Sequence, residues 1–309
     1  MVKRGHRIKF LIIALTLFLL IAFPLISAGF FGDIYDKITG RASQDTTSLN
    51  VTIGNSAPTI DWVESVSSQN PTDDTTTSIT FNFTATDTDG AVNIDGDTGK
   101  AYFQRAGETT RSNTSCVNYS SSGDDVNFTC TIDMWYFDEN GAWTINVTAQ
   151  DINSASAENS STTLTYNSLP GMKMSPTSLE WAAVGLSDTD TSADNNPIQI
   201  NNTGNDVSLS INVSSYDLQG EETDTEYIYA NNFTVENKTT GCSGTAMVNE
   251  SSINVTSAIL QRGNHSLNYN NATSGQEQIY FCLKGVPQDI SSQSYSSTAF
   301  GAWTIEIVS

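Results

Sequence analysis

From residue 79 onward the chain is patterned in twos. Ile79, Phe81 and Phe83 alternate with Thr80, Asn82 and Thr84, and the pattern returns in Trp143, Ile145 and Val147 set against Thr144, Asn146 and Thr148. A period of two puts one face of a segment in a core and the other in water, as in a half-buried β-strand. Leu164 and Tyr166 close this series near Asn167, and turn-forming clusters at 87–90, 95–99, 121–125 and 139–141 separate its members. Short strands punctuated at such intervals predict a two-sheet sandwich. A second series follows a break at Leu169, Pro170 and Gly171: Ile198 and Ile200, then Val207, Leu209, Ile211 and Val213, then Ile279 and Phe281, and finally Trp303, Ile305 and Ile307. The expected architecture is all-β, two sandwiches in tandem over residues 57–168 and 170–309, each of ordinary domain size.

Composition agrees with strands rather than helices. Charged residues are 15% of the chain, below the roughly 25% usual in soluble domains. Ser, Thr and Asn take their place, and these suit pleated surfaces and bends better than helix interiors. Apolar residues at 38%, with five Trp and thirteen Phe, supply a core and exclude global disorder. The string GAWTI occurs at Gly141–Ile145 and again at Gly301–Ile305, so Trp143 and Trp303 are both expected as buried plates between sheets, a sugar-stacking role being the rival.

The N-terminus places this architecture. Lys3, Arg4, Arg7 and Lys9 precede an apolar run from Phe10 to Phe31, long enough at roughly 20 residues to cross a bilayer. Ser27, Ala28 and Gly29 offer a peptidase short side chains, so residues 1–31 are expected to be a signal peptide or a transmembrane anchor. The basic flank keeps the N-terminus cytoplasmic and sends the rest outside. His6, Arg7, Ile8 and Lys9 after Gly5 argue against a pilin-type assembly helix. Residues 32–56 are expected as a stalk, with a strand-like piece at Leu49–Ile53. The net charge of −21 becomes more negative once the N-terminal cations are set aside, which makes nucleic acid and anionic lipid surfaces poor partners, with solubility alone the competing account of the charge.

Outside the cytoplasm, Cys116, Cys130, Cys242 and Cys282 are expected as disulfides. Four cysteines allow three pairings, and Cys116–Cys130 with Cys242–Cys282 keeps each bridge inside one domain. The first bridge would staple a hairpin turning at Ser121–Asp125, a loop size for which chain entropy contributes about 3 kcal/mol. N-glycosylation sequons stand at Asn50, Asn82, Asn113, Asn118, Asn127, Asn146, Asn159, Asn201, Asn212, Asn232, Asn237, Asn249, Asn254, Asn264 and Asn271. Asn82 and Asn146 fall on the outward positions of their strands.

Candidate chemistry is sparse. Asp87, Asp89, Asp95 and Asp97 form one acidic loop and Asp188, Asp190 and Asp194 another, and either supplies the oxygens calcium wants. The stretch from Asn93 breaks the EF-hand pattern, with Thr98 where glycine belongs and Gln104 where a bidentate Glu belongs. Asp side chains capping their own turns are the competing account. His6 and His265 are the two histidines, neither in a metal or hydrolase motif, and no HExxH, GxSxG or phosphate-cradling loop is present. Asp133, Glu139 and Glu180 are carboxylates that a glycosidase pair would need. The expectation is a protein that is no enzyme and has no cofactor, calcium being the one candidate.

VTIGNSAPTI at Val51–Ile60, FTATDTDG at Phe83–Gly90 and GAWTINVTAQD at Gly141–Asp151 resemble the tandem Ig-like, PKD-like modules of archaeal and bacterial cell-surface proteins. DKITGRAS, just before, resembles the post-signal stretch of archaeal exported proteins, and the second half shares the likeness through NNTGND at Asn201–Asp206 and the last strand. The resemblance implies Ig-like sandwiches acting as spacers or contact surfaces in a cell envelope, and it transfers no catalytic residue. The expected role is a structural or adhesive ectodomain, anchored or secreted, contacting other surface proteins or glycans. A carbohydrate-binding or calcium-dependent recognition module is the alternative, and a glycoside-active enzyme a third.

Overall fold

The computed structural model describes residues 48–182, 184–239, 241–263 and 275–309. The leader at 1–31, most of the stalk, both histidines, Asn264 and Asn271 lie outside them. No helix among the described residues is long and apolar enough to cross a membrane. The strand-like piece at Leu49–Ile53 is not a strand: Leu49, Val51 and Ile53 stand 87%, 73% and 87% exposed. Without a neighbouring strand their backbone groups have no ladder to join.

The first half contains β1 (Thr59–Val63), β2 (Thr76–Thr86), β3 (Lys100–Gln104), β4 (Arg111–Asn113), β5 (Val117–Ser122), β6 (Asp125–Trp135), β7 (Gly141–Gln150) and β8 (Ser156–Tyr166). They form two antiparallel sheets, β1-β2-β6-β5 and β4-β3-β7-β8. The predicted alternation holds: Ile79, Phe81, Phe83, Trp143, Ile145, Val147, Leu164 and Tyr166 are all buried in one cluster drawn from both sheets. Phe83 stands opposite Phe128 on β6, their rings stacked at 4.9 Å. On the wet face the same ladder carries polar pairs, Thr80 with Thr131 at 2.7 Å and Thr84 with Asn127 at 2.7 Å.

The second half is more divided. It holds β9 (Met172–Ser175), β10 (Thr189–Ser192), β11 (Ile198–Asn202), β12 (Leu209–Ser215), β13 (Leu218–Gly220), β14 (Tyr227–Ile228), β15 (Phe233–Glu236), β16 (Thr245–Ala246), β17 (Ser251–Leu260), β18 (Gln276–Gly285), β19 (Tyr295–Ser296) and β20 (Thr304–Val308). One sheet runs β16-β15-β18-β11-β9, with β10 also on β18; a second runs β17-β12-β20; a small third runs β14-β13-β19. Val207 was expected to open β12, but it is 52% exposed and precedes the strand, because Ser208 turns the backbone at φ 58. Residues 55–309 form one compact unit that carries both hydrophobic clusters.

Both disulfides join the cysteines paired within each half. Cys116 and Cys130 lie opposite one another where β5 meets β6, with Cα atoms 4.6 Å apart. Cys242 ties the loop after β15 to Cys282 on β18 at a Cα separation of 5.2 Å.

The repeated GAWTI string has two fates. Gly141 and Gly301 both take the positive φ that their turns require, 114° and 143°. Trp143 is then fully buried, whereas Trp303 is half-buried, its ring edge-on to Phe233 at 5.2 Å. The expectation that both are core plates holds for Trp143 and is corrected for Trp303. β7 is flanked by β3 and β8, whereas among the described residues β20 pairs with β12 alone. Truncating a buried aromatic costs about 3–5 kcal/mol. Trp143→Ala therefore lowers the unfolding free energy by that order in urea titration, and Trp303→Ala lowers it by less.

Candidate functional site

Two places depart from plain sheet packing, a charged junction between the two cores and an open cleft in the second. The junction gathers all three described arginines. Arg111, at the start of β4, reaches the fully buried Asp138 with Nε at 2.9 and 3.1 Å from its two oxygens, and its guanidinium lies 5.7 Å from the Phe137 ring centre. Burial lifts the Asp138 carboxyl above its ordinary range, while Arg111 and the Trp135 N–H, which donates at 2.7 Å, pull against that rise. From the second half Arg262 donates to Glu108, whose side chain is 1% exposed, and to the Phe137 carbonyl at 2.7 Å. Glu139, a carboxylate flagged from sequence, sits between Arg105 at 3.0 Å and Arg262 at 3.6 Å, and the Arg105 contact holds its pKa down.

The NNTGND segment completes the junction. Asn205 is buried and donates to the carbonyls of Asp138 and Asn167, both at 3.0 Å, while its oxygen accepts the Leu169 N–H at 2.7 Å. Gly204 permits this approach, since a Cβ there would lie 1.9 Å from the Leu169 carbonyl oxygen. Asp74, from the loop before β2, pairs with Lys173 on β9. The expected break at 169–171 is thus a hydrogen-bonded seam.

The cleft, about 730 Å³, lies in the second core. Its floor is Ile198, Val213, Phe233, Phe281 and Leu283, all buried, and its rim includes Met174, Trp181, Trp303 and Ile305, all half-buried. Both indole N–H groups are spent on backbone carbonyls, Trp181 on Thr191 at 3.0 Å and Trp303 on Tyr216 at 2.8 Å, so the rings face the cleft as apolar surfaces. Among the described residues no charged side chain lines it, in a chain of net charge −21. One wall is the polar stretch from Ser292 to Thr298. Glu226 clasps that wall, accepting from the Ser291 N–H at 2.7 Å, Gln293 at 2.8 Å and the Tyr295 hydroxyl at 2.8 Å. The Ser291 backbone bond leads the effect of these donors, which pull the Glu226 pKa down to about 2.

Side chains of both acidic loops accept backbone N–H groups, Asp89 that of Ser56 on a distant loop at 2.7 Å. Asp87 is fully buried, its Oδ1 accepting the Asp89 N–H at 2.9 Å while Oδ2 has no hydrogen-bond partner among the described residues. Asp95 accepts the Asp97 N–H at 3.1 Å; Asp188 and Asp194 accept from Gly185 and Ala182, both at 2.6 Å. Among the described residues no three Asp, Glu, His or Cys side chains gather to hold a metal. Asp133 bonds Ser78 on the sheet surface, and Glu180 sits in the loop before β10, apart in the chain from Glu139.

Among the described sequons, Asn50, Asn118, Asn249 and Asn254 are exposed. Asn82, Asn113, Asn127, Asn146, Asn159, Asn201, Asn212, Asn232 and Asn237 are half-buried. Several of these engage their neighbours, Asn82 with Glu64 at 2.8 Å and Asn146 with Glu158 at 2.7 Å. Neither the junction nor the cleft was visible as a site in the sequence. The scarcity of arginine and the flanking of only one GAWTI strand were the signals available.

No family model matches this chain, and no curated protein matches it. Among solved structures, the dimeric latent form of PorU from Porphyromonas gingivalis is similar at 12% identity and a TM-score of 0.26, over 85% of this chain and 21% of that one. The secreted serine protease VesC from Vibrio cholerae is similar at 10% identity and a TM-score of 0.21, over 80% of this chain and 50% of that one. Likenesses at this level carry no argument about fold or activity.

Arg111→Ala leaves Asp138 buried without its cation, and breaking a buried pair in this way costs about 3–5 kcal/mol; urea unfolding at neutral pH measures it. Glu226 tests the clasp through pH. Its folded pKa lies below the ordinary value of 4.5, so its stabilisation is complete above that value and fades as pH falls toward about 2. Thermal melts across that window show a decline in the wild type that is shallower in Glu226→Gln.

Proposed function

We propose that this chain is a non-enzymatic structural or adhesive protein of the cell surface, in which two Ig-like modules act as one stiff display unit. The junction carries this reading: Arg262, the Lys173–Asp74 pair and the Asn205 hub join one module to the other, whereas a flexible tether would leave such a seam solvated. The Ig-like assignment is supported by strand order. β1-β2-β6-β5 against β4-β3-β7-β8 corresponds to A-B-E-D against C′-C-F-G in immunoglobulin lettering. Two disulfides fit an oxidising compartment, and the acidic surface fits exposure outside the cell.

The partners are other surface proteins or glycans, with the membrane engaged through residues 1–31 where these are retained. The rings of Trp181 and Trp303 at the cleft rim favour a second reading, glycan recognition. Cell fractionation with intact mass, before and after reduction and deglycosylation, tests the main reading. The expected product is exported, lighter than the reduced chain by the hydrogens of two disulfides, and inert on chromogenic glycosides. Cytosolic protein with all four thiols free overturns it, and selective binding on a glycan array promotes the second reading.

A further inference from the structure

Six of the eight strands of the first half have counterparts at matching places in the second. β1-β2-β6-β5 is matched by β9-β11-β18-β15, in which the second and third strands are the central antiparallel pair of each sheet. In the facing sheet β3 and β7 are matched by β12 and β20, neighbours in each case; β7 begins at Gly141 of the first GAWTI string and β20 at Thr304 of the second. The first half then adds β8 along the outer edge of β7, with Leu164 and Tyr166 fully buried and Asn159 bonded to the Ile60 carbonyl of β1 at 2.9 Å. β8 closes the gap between the two sheets on that side.

In the second half no strand of the described residues takes that place, and residues within 177–182 and 292–298 line the gap. β20 pairs with β12 alone and β9 with β11 alone. The uncharged cleft opens at these two edges, with Met174 of β9 and Ile305 of β20 both on its lining. Trp303, Ile305 and Ile307 are consequently half-buried, where Trp143, Ile145 and Val147 are fully buried. An edge strand beside an open apolar core is a template for strand addition.

The same chain displays a segment of the complementary kind. Leu49, Val51 and Ile53 alternate with Asn50 and Thr52, their apolar side chains largely in water and their backbone in no strand. Five residues extended span about 17 Å, an ordinary strand length. We propose that residues 49–53 of one copy enter the cleft of a second copy as its missing edge strand, beside β20, with Leu49, Val51 and Ile53 inward. Asn50, a sequon, then faces outward with Thr52, so a sugar there is compatible with assembly. The contact is head-to-tail, because donor segment and acceptor cleft are different surfaces, and such contacts build chains unless they close into a ring. The inference goes beyond the proposed surface role and does not depend on it.

The test uses the full chain in mild detergent. Sedimentation is expected to show concentration-dependent oligomers, lost in Val51→Asp; Val51 is 73% exposed in the single chain, so this variant leaves the fold intact. A peptide of residues 48–55 is expected to bind, dissociate the oligomers and raise the melting temperature, with its Val51→Asp form binding at least about tenfold more weakly because a carboxylate enters an apolar site. Thr52→Cys and Glu306→Cys, in separate chains, are expected to link through a short bismaleimide when mixed. Val51→Asp oligomers equal to wild type, a monomeric wild type that takes up no peptide, or linkage only when both cysteines share one chain would each overturn the proposal.

Discussion

The arrangement of this molecule rests on a few cations in a chain that has little positive charge to spend. Arg111 neutralises Asp138 inside the first half, and Arg262 crosses from the second half to Glu108 and the Phe137 carbonyl. A buried carboxylate without such a partner is expensive, so residues 108, 111, 138 and 262 must arrive together or the seam does not form. Glu108, Arg111 and Asp138 are brought close by strands of the first half, while Arg262 follows directly after β17 of the second. The Asn205 hub works in the same direction, satisfying carbonyls of the first half and the Leu169 N–H between the halves from one amide.

Against that rigid seam the two cores differ in completeness. The first is closed by β8, and its GAWTI strand is central with every inward side chain buried. The second presents an equivalent strand as an edge, and the consequence is a cleft with an aromatic rim rather than a filled core. Glu226 and its donors hold one wall of that cleft in place.

Strand identity was legible because alternation is a local property. Phe81, Phe83, Ile145 and Val147 announce which face is buried whatever they pack against. The disulfide pairing was legible for a related reason, since each bridge lies inside one run of strands. Val207 and Trp303 show where local reading stops. A single left-handed residue at Ser208 removed the first from its strand, and a missing neighbour exposed the second, although its sequence context duplicates that of Trp143.

The sequence by itself determined that this is an all-β chain with two apolar series, four cysteines suited to bridging and an acidic, hydroxyl-rich surface, because periodicity and composition act over a few neighbouring residues. Only the tertiary structure decided that Glu108, Arg111, Asp138, Asn205 and Arg262 meet, and that, among the described residues, β20 is left as an edge strand beside a cleft with an apolar floor and a polar wall. Those outcomes depend on which strands become neighbours across long stretches of chain, and pairing at that range is set by the packing of whole sheets rather than by any local pattern.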